Sequence, residues 1–163
     1  MTRIYLALTF AMAMVHAGCS ADTRTENSAP PDSPTNASAL KPGMKIRLKI
    51  EDKVLTATLV DSKTTRDFVS LLPLTLTMND LFRREKFALL PRAISEEGKR
   101  THTYEVGQVV YWSPGPDVAI FYRNDGEKIP NPGIIIIGKI DSGVAALDVA
   151  GSVKVTIELH EQQ

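Results

Sequence analysis

Met44-Lys45-Ile46-Arg47-Leu48-Lys49-Ile50, followed by Glu51-Asp52-Lys53 and then Val54-Leu55-Thr56-Ala57-Thr58-Leu59-Val60, is the stretch that decides the fold. Met44, Ile46, Leu48 and Ile50 alternate with three basic residues, the period-two pattern of a half-buried strand. The acidic triplet is a short polar turn, and the apolar residues resume after it. Two such runs around a tight turn read as a β-hairpin.

The same pattern continues towards the C-terminus. Leu74, Leu76 and Met78 alternate with Thr75 and Thr77. Shorter strand candidates lie at 86–89, 109–112, 118–122 and 134–140, and Val153, Val155, Ile157 and Leu159 form a last alternating strand. Between them sit turn-rich pieces such as Ser113-Pro114-Gly115-Pro116 and Asn124-Asp125-Gly126. Two short segments have helical character instead. In the first, Thr64 with Asp67 fits a capping box, Thr65, Phe68, Val69 and Leu72 share one face, and Pro73 stops a helix over 64–72. The second covers 142–150, with Gly151 in the position after its last turn. About eight strands and two short helices predict a mostly β domain. Frequent turns favour a closed antiparallel barrel or a sandwich over a wound βαβ sheet.

Working towards the N-terminus, the composition shifts. Ser20 to Pro42 is rich in Ser, Thr, Asn, Ala and Pro and lacks hydrophobic periodicity, which predicts a flexible spacer. Ahead of it, Met1-Thr2-Arg3 and the uncharged apolar run from Ile4 to Val15 match a signal peptide, too short to span a bilayer. His16-Ala17-Gly18-Cys19 resembles a bacterial lipobox, although His16 stands where an aliphatic residue is usual. The expected organisation is therefore a signal peptide (1–18), a lipidated Cys19 with its polar linker (19–42), and one domain (43–163). The alternative is soluble secretion by cleavage after Ala17. Ser20 follows the cysteine and is not acidic, so an outer-membrane anchor facing the periplasm is the expected address. Removing the leader takes away Arg3 and no acidic residue, so the net charge falls from zero to −1.

The stretches Lys45–Ile50, Thr65–Leu74 and Glu85-Lys86-Phe87 together resemble the bacterial cyclophilin-like families. So do Gly107–Ser113, Ala119–Tyr122 and Ile137–Ile140, and the element order from 44 to 159 is the same. The resemblance implies a closed, flattened eight-stranded barrel with two helices. Classical cyclophilins are peptidyl-prolyl isomerases that set an arginine of a Phe-His-Arg-type motif beside an apolar proline pocket. Phe82-Arg83-Arg84 is similar to that motif only superficially, and the glutamine- and glycine-rich stretch that follows it in isomerases is missing. Arg83 and Arg84 are accordingly the candidate catalytic residues of an alternative reading. The main reading is an envelope-tethered domain that binds a peptide or small apolar ligand without catalysis.

The candidate binding residues are aromatic: Phe82, Phe87, Tyr111, Trp112, Phe121 and Tyr122, with Tyr104 nearby. Strand alternation sends one of Tyr111/Trp112 and one of Phe121/Tyr122 into the core and the other outward. The outward set, with Phe82 and an arginine, would line a groove, and the polar loop 123–132 would flank it. Packing alone also accounts for most of these rings. Glu85-Lys86 reads as a structural ion pair or as strand-end solvation.

Other chemistries find little support. Basic and acidic residues both total 19, which removes the basic excess that a nucleic-acid partner requires. His102 and His160 have no second His or Cys at ligand spacing, so neither metal nor cofactor is expected. Gly138-Lys139 lacks the upstream glycine and following helix of a phosphate loop, and no Gly-x-Ser-x-Gly elbow occurs. The lipid anchor is directly testable: Cys19→Ala is expected to release the protein from membranes and abolish lipid labelling. Unchanged membrane association of that variant would refute the anchor.

Overall fold

The structure, a computed structural model, describes residues 40–160. The leader, Cys19 and most of the linker lie outside the described residues. Nine strands occur among the described residues: β1 (Lys45–Ile50), β2 (Lys53–Leu59), β3 (Leu74–Leu81), β4 (Glu85–Leu89), β5 (Arg100–Thr101), β6 (Gln108–Trp112), β7 (Asp117–Phe121), β8 (Ile134–Ile140) and β9 (Val153–Leu159). Every pairing is antiparallel, in the order β2-β1-β9-β3-β4-β7-β6-β8. Pairing of β2 with β8 closes eight of these strands into a barrel. The two-residue β5 pairs with the start of β8.

Closure depends on a close approach. Gly138 sits opposite Leu59 on the β2–β8 seam, and a Cβ there would stand 2.6 Å from the Thr58 carbonyl oxygen. Any side chain would push the seam apart, so glycine is required on steric grounds. A register shift between Val109 and Val110 in the β6–β8 pairing bends the wall on the other edge of the same strand.

Alternation fills the interior as the sequence pattern predicts. Ile46, Leu48 and Ile50 from β1, Leu55 and Ala57 from β2, and Val155 and Ile157 from β9 are all buried in one core. Full burial of each large aliphatic contributes roughly 1.5–3 kcal/mol. Helix α1 (Lys63–Val69) adds Phe68, which has no exposed surface.

The helical segments differ in detail from the sequence reading. Ser62, not Thr64, caps α1: its Oγ accepts from the Thr65 amide at 3.0 Å, while Thr64 and Thr65 turn inward and are buried. The second helix contracts to a 3-10 turn over Val144–Leu147. Asp148, with φ −79° and ψ 62°, leaves helical geometry and ends the turn. Val149 and Gly151 each accept a hydrogen bond from Lys86 Nζ, both at 2.6 Å.

Lys86 is completely buried, and its third bond goes to Asp80 Oδ2 at 2.8 Å. All three ammonium donors are therefore used. Tyr122 donates to the same carboxylate oxygen at 2.5 Å. Burial first, and the Asp80 bond second, push the Tyr122 phenol up to about 12. Glu85 and Lys86 do not pair with each other, because neighbours on a strand point to opposite faces. Replacing Lys86 with Ala is expected to cost about 3–5 kcal/mol, since it leaves Asp80 and two carbonyls without their donor. Urea unfolding measures this, and a loss under about 1 kcal/mol would show that water reaches these groups.

Candidate functional site

The wall formed by β4, β7, β6 and β8 carries a second apolar layer on its outer side. On β6 and β7, Tyr111, Val118 and Ile120 face the main core, while Val110, Ala119 and Phe121 face outward. Tyr104, Ile129 and Ile134 cover that outer face, with Phe87 and Trp112 packed at its margin. The outward layer exists because the segment after Phe121 folds back over the wall and brings Ile129 down onto it.

Between this layer and the β3–β4 turn lies a cleft of about 240 Å³. Its floor and sides are mainly apolar, from Phe87, Trp112, Ala119, Ile129, Pro130 and Ile134. Phe82, Arg84, Glu85 and Asp117 supply its rim and its charges. That volume is below the roughly 300–1,000 Å³ of pockets that enclose a drug-sized molecule, and it suits one ring or one side chain.

The β3–β4 turn determines how Arg84 is presented. Phe82 and Arg83 both have positive φ, 53° and 56°, and Arg84 N bonds back to the Leu81 carbonyl. Two bulky residues in the left-handed region are costly, by about 1–3 kcal/mol each. Asp80 supports the turn by accepting from the Arg83 amide at 2.9 Å. The result is a Phe82 ring that is 72% exposed above an Arg84 that is only 8% exposed.

The Arg84 guanidinium carbon stands 5.1, 5.5 and 6.0 Å from the ring centres of Phe82, Tyr104 and Phe121. Tyr104 and Phe121 are themselves stacked, 3.9 Å apart. Nε and Nη2 of Arg84 donate to Glu85 Oε1, and Nη1 donates to Asp125 Oδ2, each at 3.3 Å. Tyr104 also donates its hydroxyl to Asp125, which holds the Asp125 carboxyl below its ordinary range. Glu85 is 6% exposed, and burial pushes its carboxyl up against the opposing pull of Arg84. Burial alone pushes Asp117 up.

Of the residues singled out from sequence, Phe82, Arg84, Phe87 and Trp112 come together at the cleft. Phe121 lies beneath it, stacked on Tyr104. Tyr111 and Tyr122 do not line it: both belong to the barrel interior, where Tyr111 Oη accepts from the Ile94 amide. Arg83 is exposed and is not part of the cleft. Loop 123–132 contributes Ile129 and Pro130. The sequence reading missed Asp117 and Asp125, since an acidic residue at a strand end or in a turn looks like ordinary solvation. His102 is exposed, with Nδ1 2.9 Å from the Ile129 carbonyl oxygen. No cluster of three metal-ligating side chains occurs among the described residues.

A closed antiparallel barrel with a small cleft on the outside of one wall defines a cyclophilin-type domain. The chain belongs to the Cyclophilin-like family, whose pattern matches residues 48–158. Its fold is also similar to the solution structure of the hypothetical protein AF2241 from Archaeoglobus fulgidus. That similarity has a TM-score of 0.59 at 23% identity, covering 73% of this chain and 96% of the other. No curated protein matches the sequence.

The raised Asp117 carboxyl has a consequence for stability. Its folded-state pKa lies above the unfolded value, so the folded protein binds the proton more tightly and loses stability as pH rises through that pKa. Asn resembles the protonated form. Asp117→Asn is therefore expected to melt no lower than the parent at pH 7, and its advantage should vanish in acid. Thermal melts at pH 7 and pH 3.5 check this, and a lower melting temperature at pH 7 would mean that Asp117 holds a stabilising contact.

Proposed function

We propose that this chain is a binding domain tethered at the cell envelope, which takes one apolar group of a peptide or small ligand into the outer-face cleft without catalysing a reaction. The observation that carries this reading is the commitment of Arg84. Its guanidinium borders an apolar cleft, as in an isomerase, but its bonds run to Glu85 and Asp125. A cation facing two carboxylates has little net positive field left to stabilise a developing charge on substrate. The apolar floor, by contrast, is free to take up a ring or branched side chain, and burial of each CH₂ contributes about 0.8 kcal/mol.

The position of Arg84 favours prolyl isomerisation as the second reading. Were the ion pairs to open on binding, the guanidinium would stand next to the apolar pocket where a proline ring is held. One preparation separates the two readings. Trp112, the single tryptophan of the chain, borders the cleft and reports on occupancy by its fluorescence.

The full-length protein is expected to give a saturable Trp112 response to short proline-containing peptides such as Ala-Ala-Pro-Phe, with no isomerisation above the uncatalysed rate. Isomerisation that disappears in Arg84→Ala would establish the enzyme instead. Absence of any Trp112 response across a panel of apolar peptides would remove the cleft from consideration as a binding site.

A further inference from the structure

The charges of the cleft do not cancel. Among the described residues, Arg84 is the one cation lining it, against Glu85 and Asp117. Arg84 bonds only one oxygen of Glu85, Oε1, and turns its remaining bond outward to Asp125. Among the described residues, no donor is bonded to Glu85 Oε2 or to the Asp117 carboxylate. Asp117 also adds to the upward push on Glu85, from four positions further along the paired strands, where it stands opposite Leu89 and Glu85 opposite Phe121.

The place where Asp117 rests is well defined. Its carboxylate folds against Gly115, where a Cβ would collide with Oδ2, and Trp112 Cδ1 lies 3.4 Å from that same Cβ position. The carboxylate and the indole edge thus border one spot, with Phe87 and Ile134 completing the apolar surface.

We infer that the cleft selects a small organic amine, with a ring-sized apolar body on Trp112 and Phe87 and its ammonium on the Asp117 carboxylate beside the indole edge. This rests on the ligand-binding reading above and names the chemistry of the ligand. A protonated amine supplies up to three N–H donors, matching oxygens that have none. Partial burial strengthens its attraction to Asp117, and indole and phenyl faces attract a cation further. A carboxylate ligand meets the unpaired charge of Asp117 instead and is excluded. At about 240 Å³ the cleft admits a single ring with a short chain.

The test titrates the full-length protein with three probes that share a phenyl body: 2-phenylethylamine, 2-phenylethanol and 3-phenylpropanoate, each followed through Trp112 fluorescence. The amine is expected to bind about tenfold or more tightly than the alcohol, the usual scale of a hydrogen bond to a charged group. The carboxylate should not saturate. In Asp117→Asn, whose folding is checked by its melting temperature, the amine should lose its advantage and bind no more tightly than the alcohol. Equal binding of amine and alcohol by the parent, or an amine preference that survives Asp117→Asn, overturns the inference and leaves the cleft a binding site. A Trp112 signal that responds to none of the three probes also overturns it, and the peptide titration then decides separately whether the cleft binds at all.

Discussion

Burial of the β4–β7–β6–β8 wall on both faces is the constraint from which the rest of the molecule follows. In most of the barrel, one face of each strand meets the core and the other meets water, so residues alternate. On this wall the outer face is covered too, and the strands become nearly continuous apolar runs. Side chains that alternation sends outward are obliged to pack, and a second layer forms under Tyr104 and Ile129. The cleft is the part of this layer that the covering segment leaves open.

The polar groups around the wall are arranged to satisfy the same constraint. Glu85 and Lys86 occupy adjacent positions on β4, and both are buried, on opposite sides. Each therefore needs a partner on its own side. Lys86 finds Asp80 and two carbonyls in the interior, and in doing so ties the 3-10 segment to the β3–β4 hairpin. Glu85 finds Arg84, which the strained turn at Phe82-Arg83 swings under the exposed ring. Buried charges left unpaired would cost several kcal/mol each, so the turn strain is a smaller term than the pairing it permits. Pairing stays incomplete at Asp117, whose carboxylate has no bonded donor among the described residues.

Much of this was legible in the sequence, and the reasons are local. The hairpin of β1 and β2 follows from strict alternation in Met44–Val60, and the last strand from the same pattern in Val153–Leu159. Facing was predictable for Tyr111/Trp112 and Phe121/Tyr122 as one inward and one outward member of each pair, because strand geometry leaves no other choice. Which member faced outward was not predictable, since it depends on the register of β6 against β8 and on the bulge at Val109/Val110. Helix limits differ from the sequence reading at both segments. Ser62 rather than Thr64 caps α1, with Thr64 buried, and the backbone leaves helical geometry at Asp148, so the second segment stops as a 3-10 turn.

By itself, the sequence determined the mostly β character, the inward alternation of the long strands, and the position of the turns, because periodicity and turn chemistry act between near neighbours. Family membership over 48–158 also rests on the sequence. Only the tertiary structure decided that Arg84 rather than Arg83 reaches the cleft, and that Glu85 and Lys86 serve different partners. It alone brought Asp117, Trp112 and Phe87 to one opening. Trp112 and Asp117 face each other across the β6–β7 hairpin, but Phe87 reaches them only through the β4–β7 pairing, which joins groups whose separation along the chain carries no local signal.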